Sequence, residues 1–190
     1  MYQKYHTDAL ILGSYESGEA DRTIALFTRD FGLVRARATS VRSEKSKMRY
    51  AVQHYTYANC SLVRGRRGWR LAGATARALP VASTQGIGAF ARIAELTVRL
   101  VAGEEKNEYL FDVLAEAHRA LMQKDASAVP TIEIVCVARV LYALGYISAE
   151  ALKTTLFSHT EFGNEHLQEA EVLRETILKS INSAIAETHL

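Results

Sequence analysis

The chain reads as an α+β protein of two parts, a small β-barrel of OB type followed by an all-α helical domain. Three observations predict this. Residues 1–79 hold short β-branched or alternating apolar runs separated by Gly, Asp and Ser turns. Beyond residue 88 the apolar residues recur at helical spacing instead. Charge divides at the same place. Residues 1–79 carry 14 Lys and Arg against 6 Asp and Glu, a net +8, whereas residues 80–190 carry 9 against 15, a net −6. The whole-chain balance of +2 hides this asymmetry. It predicts a basic binding surface joined to an acidic module that serves the basic half or another protein.

The elements follow in order. The run ALIL at 9–12 is short and apolar, and Glu16-Ser17-Gly18-Glu19 is turn-prone. TIALFT at 23–28 has strand character, and Asp30-Phe31-Gly32 predicts a tight turn with Gly32 at positive φ. LVRARAT at 33–39 alternates, with Arg35 and Arg37 on one face and Val34, Ala36 and Ala38 on the other. Both arginines therefore stand on the wet face of a strand that enters a basic loop. Tyr50 to Val63 reads as a long strand on which Tyr55 and Tyr57 share a face, opposite Thr56, Ala58, Cys60 and Leu62. Arg64-Gly65-Arg66-Arg67-Gly68 is a glycine-bearing turn, and Trp69 to Ala74 completes a hairpin. Five short strands in this length fit an OB-type barrel over residues 1–79, with an SH3-like barrel as the other solution.

Residues 80–88 are uncharged, include Pro80 and two glycines, and read as a linker. Residues 89–190 read as a bundle of four or five helices. Phe90, Ile93, Leu96 and Leu100 share one helical face, and Tyr109, Leu110, Val113, Leu114, Ala117 and Leu121 another. Pro130 suits a helix start, Ile132–Leu144 a buried central helix and Gly145 its end. Ser158–Glu165 is polar and irregular, and Leu173, Ile177, Ile181 and Ile185 predict a last amphipathic helix.

Several classes are excluded. No apolar run is read as approaching the roughly 18 residues a membrane helix needs, and MYQKYHTDALILG has no signal-peptide character. Two distant cysteines, Cys60 and Cys136, make no disulfide framework; both read as small buried apolar residues in a reducing cytosol. There is no phosphate-binding glycine loop, the GIG at 86–88 is an incomplete dinucleotide fingerprint, and the six histidines show no metal-ligand spacing. No enzyme activity, metal or cofactor is expected.

The run from Arg35 to Arg49, RARATSVRSEKSKMR, sets Arg35, Arg37, Arg42, Lys45, Lys47 and Arg49 against Glu44 alone. Like charges so close repel one another, and a nucleic-acid backbone is the obvious partner to offset them. A solvated surface loop is the plain alternative. Arg64, Arg66, Arg67 and Arg70 add a second basic turn for the other side of a groove. Tyr55, Tyr57 and Trp69 offer rings for unpaired bases, although core packing is the favoured reading of Trp69. No helix rich in Arg, Asn and Gln is present to read a major groove, so sequence-tolerant binding is expected.

Gly18-Glu19 and Asp21, then Leu26-Phe27-Thr28, then Gly32 resemble the N-terminal signature of the bacterial RecO recombination-mediator family. SVRSEKSK at 40–47 resembles that family's basic segment, and Glu133 through Leu144-Gly145-Tyr146 its central helix. The resemblance implies an OB-fold on an α-helical domain. It implies binding of single- and double-stranded DNA, strand annealing, and loading of recombinase onto DNA coated by single-strand-binding protein. It also implies a RecR-type mediator and the acidic C-terminal tail of single-strand-binding protein as partners, and a cytoplasmic, nucleoid-associated location. The four-cysteine zinc site that many relatives carry after Leu-Gly-Tyr has no counterpart, since residues 147–190 contain no cysteine, and the chain is shorter than typical relatives. Arg139, with Arg92 or Arg99, is the expected anchor for an acidic tail. A protein-interaction adaptor and an RNA-binding barrel protein are the competing functions.

Overall fold

The computed structural model describes residues 3–79, 83–152 and 154–187. Five strands, β1 (Lys4–Glu16), β2 (Arg22–Thr28), β3 (Gly32–Ala38), β4 (Tyr57–Gly65) and β5 (Gly68–Ala78), close into a barrel in the order β1-β2-β3-β5-β4. β3 and β5 run parallel, and every other pairing, including β1 with β4, is antiparallel. This is the OB arrangement, and it excludes the SH3-like alternative. Strand alternation sends Ala9, Ile11, Ile24, Leu26, Val34, Ala36, Ala58, Cys60, Leu62 and Trp69 inward to one apolar cluster.

Two strands differ from expectation. β1 is 13 residues long, well beyond the apolar run at 9–12. It has to pair with β2 along one half and β4 along the other, with a register shift between Ile11 and Gly13. Its polar ends, among them Lys4, His6, Ser14 and Glu16, carry backbone pairing with little apolar signal. β4 begins at Tyr57, not Tyr50. Residues 50–55 form turns because Val41, Ala51 and Val52 are buried, the two valines within the barrel cluster, which folds the loop back onto the barrel.

Gly32 has φ +64°, and a Cβ there would lie 2.1 Å from the Glu105 carbonyl oxygen, so only glycine fits this turn. Thr28 fastens the turn. Its Oγ1 accepts from the Phe31 N–H and donates to the Gly32 carbonyl, both at 3.0 Å.

Among the described residues six α-helices follow: α1 (Thr84–Leu100), α2 (Glu108–Gln123), α3 (Val129–Ala143), the single turn α4 (Ala149–Leu152), α5 (Asn164–Val172) and α6 (Arg174–Glu187). Of the expected linker, residues 80–82 lie outside the described residues, and 84–88 are helical rather than linker. Ser83 is the reason. Its Oγ accepts from the Gly86 N–H at 3.1 Å and its carbonyl from Ile87 at 3.1 Å, which caps the helix ahead of an uncharged first turn. α3 has Pro130 in its first turn, and Gly145, at φ +81°, follows its end.

The chain divides into two compact units, one of Met1–Val81 with Ala94–Phe111 and one of Ala82–Ile93 with Asp112–Leu190. In the first, Phe111 stacks on Phe27 at 6.4 Å, and Leu33 N–H donates to Gly103 O at 3.3 Å. In the second, α3 packs against α5 and α6, burying Ile132, Val135, Cys136, Val140, Ile177 and Ile181. The stretch Ala126–Ala143 is long and apolar enough to cross a membrane by length and composition, contrary to the expectation of no such run. Half of it is buried within the protein, and it carries Glu133 and a fully buried Arg139.

Candidate nucleic-acid interface

Strand register assembles a basic face on the outside of the barrel. Tyr15 of β1 lies opposite Thr23 of β2, Thr23 opposite Arg37 of β3, and Arg37 beside Arg70 of β5. The next outward row pairs Ala25 with Arg35. The residues between them, Ile24, Leu26, Val34 and Ala36, point into the core, so Arg35, Arg37 and Arg70 share the solvent side.

The basic loop is anchored where it leaves this face. Asp21 accepts from Ser40 N–H at 2.8 Å on one carboxylate oxygen, and from Arg37 Nε and Nη2 at 3.1 and 2.7 Å on the other. The Ser40 hydrogen bond and then the Arg37 guanidinium hold the Asp21 carboxyl below its usual range. Ser40 has φ +52°, so the bond supports a left-handed corner. Further on, Arg42 Nη1 reaches Glu16 Oε2 at 3.0 Å and donates to the Glu19 carbonyl at 3.3 Å. Two of the six cations from Arg35 to Arg49 are thus committed to acids of the same unit. Lys45, Lys47 and Arg49 are exposed, and among the described residues none of them, nor Arg35, pairs with a carboxylate. Arg42 and Arg49 meet Arg22 around a cleft of about 260 Å³ floored by Val41 and Val52. Sequence reasoning missed Arg22. Its parity with Ile24 was readable, but the folding of a distant loop against it was not.

The second basic turn lies where expected. Arg37, Arg66, Arg67 and Arg70 line a cleft of about 790 Å³ together with Trp69. Arg64 is spoken for: it pairs with Glu104 at 3.0 Å and lies 5.1 Å over the Trp69 ring.

The expected aromatic pair is not a free stacking surface. Tyr55 lies outside β4 with φ +65°, its N–H bound to Ile11 O at 2.8 Å and its ring 5.8 Å from His54. The two tyrosines therefore do not share a strand face. Tyr57 is half-buried. Its Oη donates to Asp8 Oδ2 at 3.3 Å, and its ring lies 6.4 Å from Phe111. Burial, then the Asp8 charge, raises the Tyr57 phenol. Asp8 also accepts from Asn59 at 2.8 Å and Arg77 at 3.0 Å; burial opposes ionisation, but these donors outweigh it and lower the carboxyl. Trp69 is 5% exposed, edge-on to Tyr5 at 5.6 Å within the core. Among the described residues of this unit, the exposed tyrosines are Tyr15 and Tyr50.

The helical arginines need one correction. Arg139 is fully buried and therefore not a surface anchor. Its Nε donates to Leu156 O at 2.8 Å and its Nη1 to Thr160 O and Glu161 O at 2.8 and 3.0 Å. It stacks over Phe162 at 4.8 Å and fastens the irregular 156–162 segment. Arg92 is exposed but chelated by Glu133 through bonds of 2.6 and 2.7 Å, beside a cleft of about 590 Å³ lined by Thr84, Gln85, Gly88, Val129 and Pro130. Arg99 is exposed in the last turn of α1.

A closed five-stranded barrel with arginines along its β2–β3 face and adjoining loops is an oligonucleotide-binding type of fold. Residues 1–74 match the family model described as Recombination protein O N terminal. A stretch of 62 residues is 45% identical to the DNA repair protein RecO of Desulfitobacterium hafniense (strain DSM 10664 / DCB-2), covering 33% of this chain and 23% of that protein. A longer stretch of 125 residues is 33% identical to the DNA repair protein RecO of Pelotomaculum thermopropionicum, covering 64% of this chain and 49% of that one. The DNA repair protein RecO of Dehalococcoides mccartyi (strain ATCC BAA-2266 / KCTC 15142 / 195) is 40% identical over 62 residues, 33% of this chain and 24% of that protein. The likeness to the RecO proteins lies chiefly in the N-terminal barrel, where the family model and the 62-residue matches fall. These matches span between about a quarter and a half of the length of the relatives.

Proposed function

We propose that this protein is a non-enzymatic DNA-binding mediator of recombinational repair. It binds single- and double-stranded DNA, promotes annealing, and helps load recombinase onto DNA coated by single-strand-binding protein. The observation that carries the reading is the continuous basic face. Arg35, Arg37 and Arg70 stand on the sheet, Lys45, Lys47 and Arg49 in the loop, and Arg66 and Arg67 at the far turn.

The mechanism is electrostatic. Guanidinium and ammonium groups replace the counterions around each phosphate, which gives affinity without base reading. Two strands held on one cationic surface repel each other less, and pairing between them follows. Arg37 keeps its Asp21 partner, and its guanidinium, 57% exposed, adds positive potential to the face from that position. Arg22, Arg42 and Arg49 suit a single phosphate at the loop root.

A RecR-type mediator and the acidic tail of single-strand-binding protein are the proposed protein partners, taken up by the helical half. With Arg139 buried, Arg92 and Arg99 are the remaining arginines of that assignment. Strand annealing tests the reading. Two complementary oligonucleotides, one precoated with single-strand-binding protein, should anneal faster with the protein than without it, and Arg35→Glu with Arg70→Glu should abolish the gain. Acceleration that survives both charge reversals would detach the activity from this face.

A further inference from the structure

We propose that Tyr15 is the ring on which an unpaired base stacks, which gives the barrel face a preference for single strands. This rests on the DNA-binding reading and adds to it the base-contacting residue.

Three observations converge on Tyr15. Its side chain is 60% exposed, which is unusual for a large ring on a barrel strand. Among the described residues no hydrogen bond, ion pair or ring contact engages that side chain. Register places it in one row with Thr23, Arg37 and Arg70 across β1, β2, β3 and β5. With strands ~4.8 Å apart, Arg37 stands about 10 Å and Arg70 about 14 Å along that row. A base lying on Tyr15 therefore has cations for its flanking phosphates on the same solvent face. Thr23, the residue between, is small enough to leave the path open.

The partner's chemistry follows from an uncommitted ring in one row with Arg70, which pairs with no carboxylate among the described residues, and Arg37, which Asp21 holds with its guanidinium largely exposed. A folded acidic peptide satisfies the arginines but has no use for the ring's π-face, whereas a single-stranded nucleic acid uses both. A duplex keeps its bases stacked on one another and offers this face phosphates only. Tyr57, by contrast, spends its hydroxyl on Asp8 and lies against Phe111.

The test compares the full chain with Y15A, Y15L and Y15F, using a fluorescent single-stranded DNA oligonucleotide and a duplex of the same length. Y15L keeps apolar bulk on the strand and removes only the aromatic face, so it guards against a folding defect in Y15A. Single-strand affinity should fall about fivefold or more in Y15A and Y15L and be retained in Y15F, with duplex affinity unchanged in all three. Unchanged single-strand affinity in Y15L, or equal losses on single strand and duplex, would overturn the stacking role while leaving DNA binding in place. Wild-type protein that binds neither DNA would overturn the underlying reading, and this inference with it.

Discussion

Asp21 gathers three donors, the Ser40 N–H and two guanidinium nitrogens of Arg37, at the point where β3 gives way to the basic loop. Because its carboxyl is held below the usual value of 3.8, the clamp contributes stability above that value, and the contribution is lost as pH falls through the lower native value. Asp21→Asn should be less stable than wild type at neutral pH in chemical denaturation, and the difference should close in acid below about pH 3.8. A gap that stays constant down to pH 2 would remove ionisation from the clamp. Arg139 works by different physics. Its side chain is fully buried, and truncation takes the donor from the Leu156, Thr160 and Glu161 carbonyls as well as opening a cavity. Arg139→Ala should cost about 3 kcal/mol or more in urea unfolding of the helical half while leaving oligonucleotide affinity unchanged. Both cysteine thiols are pushed up to about 12, by burial first, so neither ionises near neutrality. Ellman's reagent at pH 8 should leave both unreacted in native protein and modify both in denaturant.

At the scale of elements, the 39–56 segment is the adaptable part of the proposed interface. Its root is fixed by Asp21, Glu16 and the buried Val41 and Val52, while Lys45 and Lys47 stand exposed. Replacing both lysines with Ala should flatten the dependence of log affinity on log salt for single strands by about 1.4 units, two contacts at ~0.7 each. An unchanged slope would take the loop out of the binding surface. The same segment shows where sequence reading stops. LVRARAT declared its two faces because a half-buried strand alternates, and Arg35 and Arg37 fall on the wet side as read. The tyrosines at 55 and 57 also alternate, yet only Tyr57 lies in a strand, because Tyr55 sits at a left-handed turn fixed by a bond to distant Ile11. Arg139 looked like a surface cation because nothing local announces the three carbonyls that enclose it. Nothing local marks Tyr15, whose row is defined only by the pairing of β1 with β2 and of β2 with β3. Local alternation is written in neighbouring residues, whereas register and loop return are properties of contacts far apart in the chain.

Across the whole molecule, the charge division is the feature that composition alone made visible, +8 before residue 80 and −6 after it. The barrel displays Arg35, Arg37 and Arg70 on one face and Lys45, Lys47, Arg49, Arg66 and Arg67 in two adjoining loops, while Arg64 and Arg77 pair with Glu104 and Asp8. Residues 80–190, at −6, add no net positive charge to that face. The central claim is that this basic face tracks a nucleic-acid backbone. The most direct measurement is the affinity of a fluorescent single-stranded oligonucleotide across a salt series, with matched duplex and RNA alongside. One phosphate contact for each of the eight cations of the face predicts a log–log slope of about −5.6 for single-stranded DNA, 8 × ~0.7. Binding at micromolar or tighter concentration with that slope is the expected result. No binding even at low salt, or affinity indifferent to salt, would contradict the account and reassign the basic face to a protein partner.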